Sequence, residues 1–178
     1  CRSACIEILE WGGVDNRKDV AADIKRDIPD SDLVGHLQDT TTYLNACLNN
    51  NQKIPIGKFR DRNGRDLRMD SGTTKIYSLL CDRFVMYDGR VASALGYLVR
   101  RWWKGRMREG GNGISYGDVP ECLRFSYDGN NKNRNPNPVN KDGKRCKIFD
   151  KLKPGAKRTR ENVQASWLLS EVLRIYEK

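Results

Sequence analysis

Two side chains in the stretch DSGTTKIYSLLCDRFVMYDGRVASALGYLVRRWW, residues 70–103, have types and positions suited to chemistry. Lys75 stands just behind Gly72, near the start of one helical pattern, and Asp88 stands immediately before the next. An amine becomes a good nucleophile only when its pKa is depressed, and the positive end of a helix macrodipole acts in that direction. A phosphate bound at the same helix entrance would lie close to that amine. A nearby carboxylate could position a sugar or stabilise oxocarbenium-like charge at C1′. The pair would then suit scission of an N-glycosidic bond on a base first turned out of its stack: the amine attacks C1′, the base leaves and an imine forms. The plainer roles are commoner on spacing alone, since Asp before a helix is a frequent cap and a first-turn Lys is often just solvated.

The elements that must hold this pair read as helices. Ser71 or Asp70 can cap a short helix from about Thr73, with Ile76, Leu79 and Leu80 on its apolar face. Phe84, Val85 and Met86 read as an extended buried link. Asp88 then caps a longer helix in which Val91, Ala94, Leu95, Leu98, Val99 and Trp102 recur at three- and four-residue spacing, the cleanest amphipathic pattern in the chain. Upstream, residues 2–11 form a short helix ended by Gly12 and Gly13. Asp15 or Asn16 is expected to cap a second helix carrying Val20, Ala21 and Ile24. After Pro29, a third carries Leu33, Val34, Leu37, Leu44, Cys47 and Leu48. His36 falls off that stripe and is expected in solvent. Residues 49–70, with Pro55 and Gly57, are polar and charged, with a hairpin turn expected at Asn63-Gly64. Residues 104–117 read as Gly-rich and mobile, with a short helix near Asp118 to Phe125. Residues 126–147 read as a long basic loop, and Lys153-Pro154-Gly155 as a turn. Thr159 is expected to cap the last helix, with Val163, Trp167, Leu168, Leu173 and Tyr176 as its core face. Strands are scarce, so the expected fold is all-α: a single helical domain over 1–178, loop-rich at 49–70 and 126–158.

The formal charge is +10, from 33 Lys and Arg against 23 Asp and Glu. An excess of that size favours a polyanion, and its concentration at Arg100 to Arg108 and Lys132 to Arg160 puts nucleic acid ahead of an acidic membrane surface. No run of eighteen apolar residues exists, so no spanning segment is expected. No signal peptide is expected either, while a start at Cys1 points to residues upstream. The six cysteines, at 1, 5, 47, 81, 122 and 146, contain no C-x-x-C pair and accompany one His. That pattern argues against a zinc or iron–sulfur site and for free thiols in a cytoplasmic protein. No cofactor or metal is expected.

The segment SGTTKIYSLLCDRFVMYDGRVASALGYL resembles the core of the helix-hairpin-helix DNA glycosylases, particularly their 8-oxoguanine branch. In that family a Gly-containing hairpin enters a helix whose early Lys is the Schiff-base nucleophile, and an apolar link ends in the catalytic Asp. The resemblance implies a helix-hairpin-helix core, with Lys75 as nucleophile and Asp88 as catalytic acid. Of the hairpin signature only Gly72 is present, and the Lys-to-Asp interval is shorter than the family's. If the likeness extends to function, Gly72, Thr73 and Thr74 would offer backbone amides to a phosphate. Arg90, Arg101, Lys104 and Arg106 would track the nucleic-acid backbone. Phe59, Trp102 and Trp103 would be candidates for stacking on a base, Trp103 the better one because Trp102 lies in the apolar stripe; Tyr87 could line a pocket or simply pack. The expected partner is nucleic acid, DNA before RNA, with room for a protein partner in a larger assembly.

Two rivals use other features. One is a catalytically silent nucleic-acid-binding module on the same scaffold. The other is a metal-dependent nuclease built on Asp61, Asp66 or Asp70, although the interleaved Arg60, Arg62, Arg65 and Arg68 favour a mixed-charge solvated surface there.

Overall fold

Helix α1, Arg2–Trp11, turns Cys5 and Leu9 inward, one helical turn apart. It stops where the sequence places two glycines: Gly12 and Gly13 donate back to Ile8 and Glu10, and Gly13 takes φ 63°, which suits a residue without a Cβ. The computed structural model describes residues 1–49, 58–109, 114–129 and 132–177. Those residues are mostly helical, with isolated bridges and no sheet. The polar stretches at 50–57, which include Pro55 and Gly57, and at 110–113 and 130–131 lie outside them.

The chain divides into two compact units, Cys1–Asp88 with Lys153–Lys178, and Gly89–Leu152. In the first, the helix expected after Asp15 does not form. The chain instead runs through turns to Ala21, which sits at φ 48°, and then makes a single π-helical turn, Asp23–Asp27. A left-handed alanine breaks a helical path, and it is held there because its N–H donates to Asp70 Oδ2 at 2.9 Å. The Arg2 guanidinium closes the π turn by donating to Ile24 O and Ile28 O and pairing with Asp30.

Pro29 precedes α2, Asp30–Leu48, whose first turn carries Asp30 and Asp32 at the positive end of the dipole. Its buried face is Leu33, His36, Leu37, Thr40, Leu44, Cys47 and Leu48. Helix α3, Thr73–Leu80, buries Thr73 to Tyr77, while Leu79 and Leu80 are exposed, contrary to the expected face. Helix α5, Ala156–Tyr176, starts after Gly155 rather than at Thr159. Its buried face is largely polar in its first half, and Leu173 and Tyr176, expected in the core, are exposed. The apolar core of this unit joins Leu9, Ile24, Ile28, Leu33, Leu44, Met69, Ile76, Phe84 and Val163.

The second unit is α4, Gly89–Glu109, together with a coil of short 3-10 turns at Tyr116–Asp118, Glu121–Leu123 and Lys132–Arg134. The helix continues through Lys104 to Glu109, where a mobile Gly-rich segment was expected. It buries Ala92, Ser93, Leu95, Gly96, Val99 and Trp103, so the face is rotated from the apolar stripe, and Leu98 and Trp102 point outward. Gly96 permits the rotation: a Cβ there would stand 2.8 Å from Pro136 Cγ. The coil is ordered by Asn137, 4% exposed, whose amide group accepts from Ile148 N and Phe149 N and donates to Phe149 O. Tyr97 fastens it to α4 through Asn133 O and Asn135 O.

Candidate functional site

Lys75 lies in the first turn of α3, and that turn is built by one carboxylate. Asp70 Oδ1 accepts from Gly72 N at 2.8 Å and Thr73 N at 3.1 Å, while Thr73 Oγ1 accepts from Asp70 N at 2.8 Å, a reciprocal cap. Thr74 N donates to Asp70 O at 3.2 Å. The amides of Gly72, Thr73 and Thr74 are therefore bonded within the protein, and all three residues are buried. The expectation that they grip a phosphate is corrected: Asp70 occupies the helix entrance that an anion would take.

From this turn the Lys75 side chain, 5% exposed, brings Nζ to 3.8 Å from Asp88 Oδ2; the Asp88 side chain is 20% exposed. Nζ also donates to Ser71 O at 3.1 Å. The methylene chain passes over Gly12, where a Cβ would stand 2.3 Å from Lys75 Cδ and 2.5 Å from Cε. Gly12 has an ordinary helical φ of −75°, so its glycine identity provides space rather than backbone freedom. Gly12→Ala is expected to destabilise the fold by roughly 1–3 kcal/mol through overpacking. In urea denaturation most of the loss should vanish when Lys75 is also shortened to Ala, because the contacts under 3 Å are with that side chain and only Ile8 O, at 3.2 Å, remains close.

Asp88 is placed by the extended link before it. Tyr87 N donates to Thr74 Oγ1 at 2.9 Å, and Tyr87 O accepts from Arg158 NH2 at 2.9 Å, so the peptide plane on each side of Tyr87 is pinned. Thr74 Oγ1 also accepts from Asn162 Nδ2 at 2.8 Å, and Val85 N donates to Ser166 Oγ at 3.1 Å. Tyr87 is fully buried and donates its phenol to Glu161 Oε2 at 3.1 Å; burial and the Glu161 charge push that phenol's pKa upward. The Arg158 guanidinium is pushed down by burial, against the opposing charges of Asp70, Tyr87, Asp88 and Glu161. Arg158, Glu161, Asn162 and Ser166 thus form a polar seam along one face of α5 that fixes the link. The sequence reading missed them, although their spacing of three, one and four residues is helical.

The remaining candidates are placed differently. Arg90, Arg101, Lys104, Arg106 and Arg108 are exposed on α4. Trp103 is corrected to a buried residue, 9% exposed, with Nε1 donating to Ser115 O at 2.8 Å, whereas Trp102 is 49% exposed. Phe59 is buried against Tyr43 and His36, so it is not a stacking surface. His36, expected in solvent, is 1% exposed and bonds Asp61 Oδ2 through Nδ1 at 2.9 Å. Asp61 Oδ1 meanwhile accepts from Asn63 N and Arg65 N and so shapes the Asn63-Gly64 turn. Asp66 is exposed beside Arg60, Asp70 is the α3 cap, and no metal-ligating cluster exists among the described residues. The nuclease constellation is corrected on that basis: its three carboxylates have separate structural partners. Cavities of about 630 Å³ beside Leu48, Arg83 and Trp167 and about 310 Å³ beside Phe59, Leu67 and Thr159 are lined by neither Lys75 nor Asp88.

Asp23 is a separate, half-buried acid whose carboxylate oxygens are covered. Neither carboxylate oxygen has a hydrogen-bond partner, and burial, reinforced by the Asp70 charge, pushes its pKa up to about 6. The folded state therefore binds this proton more tightly than the unfolded chain. The stabilisation is complete below about pH 4 and is lost as pH rises through about 6, amounting to roughly 3 kcal/mol. In Asp23→Asn, that decline in unfolding free energy between pH 4 and pH 8 should disappear.

No family model matches the chain, and neither the curated proteins nor the solved structures contain a significant match. The class that the sequence and site define is accordingly a helical protein in which a buried lysine faces a partly exposed aspartate. No described helix is long and apolar enough to cross a membrane, and all six cysteines are free thiols.

Proposed function

We propose that the chain is a helix-hairpin-helix DNA glycosylase-like enzyme that cleaves the N-glycosidic bond of a flipped base. The observation that carries the proposal is the 3.8 Å approach of Lys75 Nζ, in the first turn of α3, to Asp88 Oδ2, at the end of the extended link. This is the order of elements in the resembled family. In this reading the neutral amine of Lys75 attacks C1′ and the glycosidic bond breaks with its electron pair on the departing base. Asp88 stabilises the positive charge that builds on the sugar. Loss of a proton from nitrogen and opening of the sugar ring then give the imine. The cation-rich α4 supplies contacts to the phosphate backbone through Arg90, Arg101, Lys104 and Arg106. Free thiols fit a reducing, cytoplasmic setting.

A second reading has its own support. The amides at the α3 entrance are engaged by Asp70 and the Lys75 side chain is nearly covered, which favours a nucleic-acid-binding module that excises nothing. Sodium borohydride reduction separates the two. Incubation with duplex DNA carrying 8-oxoguanine or an abasic site should yield a covalent protein–DNA adduct if the first reading holds. Binding without any adduct supports the second.

A further inference from the structure

Between Arg90 and Arg108, α4 carries basic residues and no carboxylate; the first acid is Glu109. Arg90, Arg101 and Arg108 are exposed and recur at i, i+11 and i+18, which places them in one row along the helix. Beside that row stand Leu98 and Trp102, one turn apart, 59% and 49% exposed. The Trp102 ring rests against Trp103, with centroids 5.4 Å apart and planes inclined by 60°. Trp103 is itself buried and tied to Ser115 O, so the exposed indole is backed by a fixed ring.

We propose that this outer face of α4 seats single-stranded nucleic acid, the arginine row meeting phosphates and the Trp102 ring stacking on an unpaired base, with Leu98 against its edge. The proposal rests on the nucleic-acid reading above and names the form of the ligand. The charge row suits a polyanion. The aromatic platform requires an exposed base face, because in a duplex each base is covered above and below by its neighbours. Against duplex phosphates Leu98 and Trp102 would set apolar surface beside charge and gain nothing. An anionic membrane is the weaker occupant, since an interfacial helix lays down a broad apolar face and here the arginines occupy the centre of the exposed surface.

Fluorescence anisotropy of the full chain with a labelled, undamaged 20-nucleotide single strand and its duplex, across a salt series, tests this. The single strand should bind about tenfold more tightly than the duplex, and Trp102→Ala should lose about tenfold on the single strand with an unchanged salt slope. Arg101→Gln should instead flatten the log–log salt slope by about 0.7. Trp102→Leu keeps apolar volume without the π face and should behave as Trp102→Ala does, while Trp102→Phe retains most of the affinity. Equal binding of strand and duplex, or affinity untouched in Trp102→Leu, overturns the proposal. Co-sedimentation with phosphatidylserine vesicles without oligonucleotide binding also overturns it, in favour of a lipid surface. Its failure is distinct from failure of the excision reading: Lys75-dependent trapping with a silent Trp102 removes this proposal alone, and Trp102-dependent strand binding without trapping removes excision alone.

Discussion

Replacing Lys75 by Gln is expected to abolish the borohydride-trapped adduct and to lower base release by on the order of a thousandfold or more, while DNA affinity should change little. The amide has nearly the reach of the amine but no nucleophilic lone pair, so no bond to C1′ forms and there is no imine to reduce. Affinity persists because the exposed cations of α4 belong to other residues. The fold tolerates the change: Asp88 keeps partial solvent exposure and the nearby positive charge of Arg158, so the loss of one ammonium does not strand a buried carboxylate. Asp88→Asn should show the complementary pattern, with an adduct that still forms but more slowly, since the variant keeps the nucleophile and removes the charge opposite the developing cation. An adduct that survives Lys75→Gln at the wild-type level would assign the chemistry to another amine and end the proposal for this pair. Quantified gel trapping alongside single-turnover base release distinguishes these outcomes.

What could be read from the residues divides along a physical line. Several helix ends followed from punctuation. Gly12-Gly13 ends α1, Pro29 opens α2, and Lys153-Pro154-Gly155 precedes α5. Lys75 and Asp88 stand out in the sequence as an amine and a carboxylate each before or early in a helix, and the structure places Nζ 3.8 Å from Oδ2. Hidden from such a reading were the places where small or polar groups are buried by distant partners. His36 is buried because its Nδ1 is hydrogen-bonded to Asp61 Oδ2, in a turn 25 residues away. Ala21 leaves the helical region because Asp70, 49 residues away, holds its N–H. The α4 face is rotated because Ser93 and Gly96 are buried where larger apolar residues were expected, which sends Leu98 and Trp102 outward. Apolar periodicity alone likewise cannot reveal the Arg158, Glu161, Asn162 and Ser166 seam, because its members are stabilised by hydrogen bonds rather than by transfer from water.

Replacement of Asp70 by Ala is expected to cost about 4 kcal/mol of folding stability. One carboxylate, 5% exposed, accepts from Gly72 N and Thr73 N through Oδ1 and from Ala21 N and Arg68 Nε through Oδ2. Alanine leaves buried backbone donors without partners, releases the left-handed Ala21 and removes the cap of α3, and each loss falls in the range of a kilocalorie or more. Asp70→Asn should cost about half as much. Its remaining carbonyl oxygen can serve the α3 amides, while its NH2 group opposes both Ala21 N–H and the Arg68 guanidinium. Urea denaturation gives both values, and the m-value should stay constant because the surface exposed on unfolding is the same. The sign of the Asn variant matters beyond its size. Were Asp70 one of several like-charged ligands awaiting a cation, neutralising it would relieve repulsion and raise stability in the metal-free protein. A fall therefore identifies a structural cap, and with it the reason Lys75 is held in place: loss of the cap frays the first turn of α3, so both Asp70 variants should also weaken trapping, Ala more than Asn, without removing the nucleophile itself.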